Sequence, residues 1–312
     1  MSRVPAVLSL FRGLALAGAF FGAQVSASAA EPLRVFVSVL PQKTFIEKVG
    51  GDRVRVEAMV QPGDSPHTYD PTPRQVAALS QADLYVAVGG TFEDAWMGRI
   101  RGVNPRMQVL DTGEGIALRR LAAHKDADGH DVSHRQDDHG HGQGHGAGDP
   151  HLWTSPPLVK QMVTRIRDAL SRLDSANAAL YAANAAAFSD ELDALDRDIR
   201  ARLAGAAGSR FMVYHPAWGY FADTYGLIQI PIEREGKEPG PRALAALIDQ
   251  ARRDGVRVVF VQPQFSQKAA AQVAAAIGGR VEVLDNLAPD YEANLRRVAD
   301  ALAGPQPAPD RP

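Results

Sequence analysis

The chain has 312 residues, 45% hydrophobic and 22% charged, with 34 Lys and Arg against 36 Asp and Glu for a formal charge of −2. This composition excludes a fibrous repeat and wholesale disorder, and the balanced charge lacks the basic excess of a nucleic-acid binder. Cysteine is absent, which excludes disulfides, thiolate metal sites, cysteine nucleophiles and a lipidated N-terminal cysteine, so any metal site has to use nitrogen and oxygen donors.

Residues 1–30 have the pattern of a secretory signal peptide. Arg3 and Arg12 precede an apolar run from Gly13 to Val25, and the small residues Ser26 to Ala30 follow it. The apolar run is shorter than the ~20 residues a membrane-spanning helix needs. Cleavage is expected after Ala29 or Ala30, giving a free periplasmic protein without a lipid anchor. Loss of the two arginines takes the charge from −2 to −4.

Leu33–Val39 is rich in β-branched and aromatic residues and reads as a strand, Gln42–Val49 as a helix ended by Gly50-Gly51, and Val54–Val60 as a second strand. Asp70-Pro-Thr-Pro73 opens a helix over Gln75–Ser80. Strands at Leu84–Val88 and Met107–Leu110 flank a helix around Phe92–Arg101. The alternation implies β-α-β units and a mostly parallel sheet.

Between Leu121 and Pro150 the apolar pattern collapses into Gly, His and Asp, with six acidic residues (Asp126, Asp128, Asp131, Asp137, Asp138 and Asp149) against Lys125 and Arg135. Such a segment cannot feed a core. The longest helical stretch then runs from about Leu158 to Leu203, with a break near Asp174–Asn177. Alternation resumes with strands at Phe211–Tyr214, Leu227–Ile232, Val256–Val261 and Val281–Leu284. Helices are expected at Ala217–Tyr225, Ala243–Arg253, Lys268–Ile277 and Tyr291–Leu302. The expected fold is α/β: two lobes, each a mostly parallel sheet flanked by helices, joined by one long rigid connecting helix. The expected layout is a signal peptide (1–30), an N-terminal lobe (31–120), a flexible His/Asp/Gly-rich loop (121–150), the connecting region (151–207), a C-terminal lobe (208–304) and a disordered tail (305–312).

Six of the nine histidines, His124, His130, His134, His139, His141 and His145, lie in the collapsed segment. Interleaved with carboxylates, they suit loose binding of borderline divalent ions. The other three stand apart, in Ser65-Pro-His67-Thr-Tyr, Asp149-Pro-His151-Leu-Trp153 and Tyr214-His215-Pro-Ala-Trp218, each at the end of a strand or the start of an element. Ligands of open α/β sheets gather beyond the carboxyl ends of strands, where such loops lie.

Four ordered motifs carry a resemblance that spans essentially the whole exported chain. Pro66-His67-Thr-Tyr-Asp-Pro-Thr-Pro73, with Ala82-Asp83-Leu and Gly89-Gly90, resembles the first ligand region of the metal-specific substrate-binding proteins of zinc and manganese ABC importers. Asp149-Pro-His151-Leu-Trp-Thr-Ser-Pro156 and His215-Pro-Ala-Trp-Gly-Tyr-Phe221 resemble the second and third. Val283-Leu-Asp285 stands where that family supplies a carboxylate, and a histidine-rich insertion between the first two motifs is typical of the zinc members. The resemblance implies a metal site of His67, His151, His215 and Asp285, with His124, His130, His134, His139, His141 and His145 as an auxiliary low-affinity loop. Tyr69, Glu93 and Trp153 are candidate wall residues. Manganese members usually carry a carboxylate at the position of His215, and three nitrogens with one oxygen suit zinc better.

The expected function is therefore high-affinity capture of Zn2+ by a monomeric periplasmic receptor that delivers it to the inner-membrane permease of an ABC importer, with a periplasmic zinc chaperone as a further partner. A manganese receptor, or a zinc-scavenging chaperone or adhesin on the same fold, are alternatives. A zinc hydrolase is disfavoured because H-E-x-x-H, G-x-S-x-G and P-loop motifs are all missing.

Overall fold

The computed structural model describes residues 31–120, 148–233 and 237–304. The signal-peptide segment, the six loop histidines and the tail from 305 lie outside the described residues. Among the described residues no helix is long and apolar enough to cross a membrane.

The first lobe runs β1 (Leu33–Val37), α1 (Leu40–Gly50), β2 (Val54–Ala58), α2 (Pro73–Leu79), β3 (Leu84–Ala87), α3 (Thr91–Val103) and β4 (Gln108–Asp111). All pairings are parallel, in the order β2-β1-β3-β4, with Val35 opposite both Val56 and Leu84. The central strands are buried on both faces, which explains their continuous apolar runs. Val35, Val37, Val56, Leu84 and Val86 face the main core, while Phe36, Tyr85 and Ala87 face a second cluster with Leu79 and Ile100 of α2 and α3.

The chain then forms α4 (Pro156–Leu173) and α5 (Ala178–Arg202). The long helical stretch is interrupted where expected. Asp174 leaves the helical region at φ −135°, ψ 71°, and its carboxylate accepts hydrogen bonds from Asn177 Nδ2 (2.8 Å) and Tyr181 OH (2.7 Å), which fixes the reversal. Lys160 Nζ and Asp193 Oδ1, 2.6 Å apart, pair the distal halves of the two helices, so they run antiparallel. At ~1.5 Å per residue, the 25 residues of α5 span roughly 37 Å. This is the connecting helix: it packs on α1 of the first lobe and on α9 (Tyr291–Ala303) of the second.

The second lobe repeats the first: β5 (Arg210–Val213), α6 (Gly219–Tyr225), β6 (Ile228–Pro231), α7 (Pro241–Arg253), β7 (Val258–Val261), α8 (Lys268–Ala276), β8 (Arg280–Val283), then α9. Its parallel order is β6-β5-β7-β8, the same as in the first lobe. Phe211, Val213 and Phe260 enter the main core alongside Val35, Val37 and Leu195, so one apolar cluster runs through both lobes. Met212, Val259 and Val261 face a separate cluster with α7 and α8.

Candidate metal centre

Each of the three isolated histidines sits just beyond regular structure. His67 lies in the irregular segment between β2 and α2, which Pro62, Pro66 and Pro71 keep out of helix and ladder. Gln75, in the first turn of α2, holds both ends of that segment. Its Oε1 accepts from Tyr69 OH (2.6 Å) and Thr72 N (3.0 Å), and its Nε2 donates to Met59 O (2.8 Å). His151 precedes a 3-10 turn at Leu152–Thr154, where Thr154 Oγ1 donates to the His151 carbonyl at 2.9 Å. His215 lies two residues past β5. Gln262, at the end of β7, clamps its backbone: His215 N donates to Gln262 Oε1 (3.2 Å) and Gln262 Nε2 to His215 O (2.7 Å).

The three rings meet. His215 Nε2 is 3.1 Å from His67 Nε2 and 3.2 Å from His151 Nε2, and among the described residues these three form a group whose ligand atoms all lie within 4.8 Å of one another. His151 and His215 are buried, while His67 is exposed on one side. Phe265 stacks on His215 with ring centroids 4.9 Å apart, and Trp153 lies edge-on to His151 at 5.2 Å.

Two buried carboxylates set the ring tautomers. Asp149 Oδ1 lies 2.7 Å from His151 Nδ1, and Glu233 Oε1 lies 2.5 Å from His215 Nδ1. A carboxylate only accepts, so each Nδ1 carries the proton and each Nε2 turns a lone pair toward the cluster. Burial works to raise the Asp149 carboxyl, but its bonds to the His151 ring and backbone N–H, with Arg119 nearby, hold it below the usual carboxylate range. His67 is pushed down to about 3, first by loss of water around its ring and then by the neighbouring His215 and His151. Burial also lowers His215, against the opposing pull of Glu233. Both shifts favour the neutral ring with its donor lone pair available, and His67 stays neutral far below pH 7.

Asp285 is not in the convergent group. Its Oδ1 accepts from Gln264 Nε2 (3.1 Å) and Leu287 N (2.9 Å). Gln264 and Leu287 do line the small cavity over the three histidines, with Pro66, Phe265 and Asn286. Of the candidate wall residues, Trp153 is beside the cluster, its indole N–H bonded to Asn286 O at 2.7 Å. Tyr69 instead braces the His67 segment. Glu93 is buried in the first lobe, accepting from Ser38 Oγ (2.5 Å), Val88 N (2.9 Å) and Gly90 N (2.9 Å).

Sequence reasoning missed Glu233. Parallel pairing of β5 with β6 continues past the strands, with Ile232 N on Val213 O (2.8 Å) and Glu233 N on Tyr214 O (3.0 Å), which sets Glu233 beside His215. An acidic residue directly after the apolar run Ile228–Ile232 was the available signal. Asp149 appeared as one of six loop acids, yet it is wholly buried behind His151. Changing Glu233 to Gln keeps the size and removes the charge. Zinc affinity is expected to fall roughly 10- to 100-fold, read by chelator competition.

A family model described as the periplasmic component A of zinc-uptake complexes matches residues 35–304. The chain belongs to that family. Among curated relatives, the high-affinity zinc uptake system protein ZnuA of Bacillus subtilis is 28% identical over 262 residues, covering 83% of this chain and 80% of its own. The zinc-binding lipoprotein AdcA of Streptococcus pneumoniae is 28% identical over 260 residues, covering 82% of this chain. The chain spans only 50% of the length of AdcA. A crystal structure of ZnuA is 40% identical with a TM-score of 0.78, covering 88% of this chain and 98% of its own. A ZnuA mutant lacking residues 138–173, with zinc bound, aligns at the same identity and TM-score over 89% of this chain and all of its own. The periplasmic family and the twin parallel-sheet lobes agree with the fold and compartment expected from the motifs.

Proposed function

We propose that the protein captures Zn2+ between its lobes with His67, His151 and His215 and delivers it, as a monomer, to the permease of an ABC importer. The observation that carries this reading is the spacing of the three Nε2 atoms. A tetrahedral zinc ion with Zn–N of ~2.0–2.1 Å separates its donors by about 3.3 Å, and the observed separations are 3.1 and 3.2 Å. The facing Nε2 lone pairs of His151 and His215, 3.2 Å apart, repel one another unless they share a cation, so the arrangement favours a positive occupant.

Three imidazoles backed by two carboxylates favour zinc over the harder manganese ion. Asp285 is proposed as the fourth donor, reached from the cavity wall that its partners Gln264 and Leu287 help to form, with water as the alternative. Both carboxylates beside the cluster are bonded to ring N–H groups, which disfavours their use as the general base of a hydrolase. The histidine-rich segment, leaving and rejoining the fold at the Arg120–Gly148 bridge, is assigned an auxiliary, weaker binding role.

Chelator-competition titration of protein lacking residues 121–147 tests the reading. One tight zinc site that manganese does not displace is expected. Absence of a tight site, or a preference for manganese, would overturn it.

A further inference from the structure

Arg119 joins more parts of the molecule than a surface ion pair needs. It belongs to the first-lobe side of the chain, and its guanidinium reaches α6 of the second lobe: Nε donates to Asp223 Oδ2 at 2.5 Å and Nη2 to Asp223 Oδ1 at 3.3 Å. Nη1 of the same group donates to Asp149 Oδ2 at 3.3 Å. Asp149 uses its other oxygen on His151, accepting from the ring Nδ1 (2.7 Å) and the backbone N–H (3.0 Å). The Arg119 backbone is tied down as well. Its N–H donates to Tyr220 OH (2.9 Å), that hydroxyl donates to Asp149 O (2.8 Å), and Arg119 O accepts from Asp149 N (2.8 Å).

Gly219 supplies an independent observation. It stands in the His215-Pro-Ala-Trp-Gly segment and begins α6. A Cβ added there would lie 1.9 Å from Arg119 Nη1 and 2.8 Å from Asp149 Oδ2. No side chain fits at that position while the guanidinium lies where it does. The segment that carries His215 is thus shaped to admit the side chain that braces the partner of His151.

Resting on the zinc reading above, we propose that Arg119 is a cross-lobe positioning residue. It fixes His151, through Asp149, relative to the His215–Gly219 segment, and so governs how long the ion is held rather than how fast it arrives. Arg119 itself does not touch the ion.

The test measures zinc association and dissociation rates, by stopped flow with a chelator chase, on the full chain and on Arg119→Ala, Arg119→Lys, Asp223→Asn and Gly219→Ala. Cobalt-substituted absorption spectra and apo melting temperatures accompany each variant. Dissociation is expected to rise roughly tenfold in Arg119→Ala and Gly219→Ala, with association within about twofold of the original chain. Arg119→Lys should recover part of the loss, and the cobalt ligand-field bands should shift in Arg119→Ala. Asp223→Asn, at an exposed side chain that leaves Asp149 and His151 intact, should raise dissociation in the same direction with an unchanged fold. Combining Arg119→Ala with Asp223→Asn should add nothing to Arg119→Ala alone. Unchanged dissociation rates and cobalt spectra, or effects that simply follow the melting temperature, would overturn the proposal.

If the original chain binds no zinc, the zinc reading fails separately. The positioning role is then read in the apo protein, from spin-label distances across the lobes and the 15N tautomer signals of His151. A shift of either in Arg119→Ala supports it, and no shift in both refutes it.

Discussion

Replacing His215 with alanine is expected to lower zinc affinity by roughly 10²- to 10³-fold. Structural zinc sites are worth about 10–16 kcal/mol over four donors, or roughly 2.5–4 kcal/mol per donor, and each ~1.4 kcal/mol is a factor of ten. The same substitution should also destabilise the empty protein, because Glu233 is only 2% exposed and would lose its ring N–H partner. Losing a hydrogen bond to a buried charged group costs about 1.5–3 kcal/mol. Alanine at His67, which sits at the surface, should weaken zinc binding by a similar factor with a much smaller drop in melting temperature. Paired zinc titrations and apo melts of the two variants check this. Equal melting losses would mean that the Glu233 contact does not stabilise the second lobe, and undiminished zinc affinity in either variant would remove that histidine from the site.

The second large effect is in pH. An ordinary exposed imidazole titrates near 6.5, so a site built from such groups loses affinity steeply on acidification below that value. In this protein His67 is lowered to about 3, so it has no proton to release when zinc arrives between pH 4 and 7, and burial shifts His215 in the same direction. Zinc affinity of the protein lacking residues 121–147 should therefore decline with acid far less than that of a histidine-rich peptide of the 121–147 sequence. The sign for stability is opposite to that of a histidine ion pair. Unfolded His67 binds its proton near 6.5 and folded His67 only near 3, so between those values the unfolded state holds more protons. Apo stability is then complete above pH 6.5 and falls as the pH drops from 6.5 toward 3. Calorimetry of the apo protein at pH 7 and pH 4.5 should show a lower melting temperature at the acid value, reduced in His67→Gln. A flat pH profile would count against the neutral, preorganised cluster.

The lobes were legible because buried parallel strands have to be continuous apolar runs. Leu33–Val39, Leu84–Val88, Phe211–Tyr214 and Val256–Val261 declare themselves without any partner in view; three of them contain a strand of the structure and Phe211–Tyr214 is offset by one residue from β5. The break at Asp174 was legible for a local reason, since Asp, Ser and Asn compete for backbone hydrogen bonds and interrupt helices. By spacing alone His67, His151 and His215 stood out only as polar residues at strand and helix ends, and their meeting was expected from the family motifs, because it depends on how two sheets face each other, which no local spacing encodes. Glu233 was missed for the same reason, since its role comes from the β5–β6 register and not from its place after Ile232. Asp149 was misleading because composition assigns it to the acidic segment before it, whereas its contacts belong to the histidine after it. The place of Asp285 was read from the family pattern, and in the structure its Oδ1 is engaged by Gln264 and Leu287.

The unequal exposure of the three rings makes the site kinetically one-sided. His151 and His215 sit on braced backbone, under Trp153 and Phe265, in lobes that share one core and one connecting helix. His67 sits at the surface on an irregular stretch held at its ends by Gln75. If these rings hold the ion as proposed, a competing donor, whether water, a chelator or a recipient protein, meets it first on the His67 side. The His67 imidazole would be substituted there while the two buried ones still hold the metal, and hand-over on that pattern would use the swing of a short surface segment.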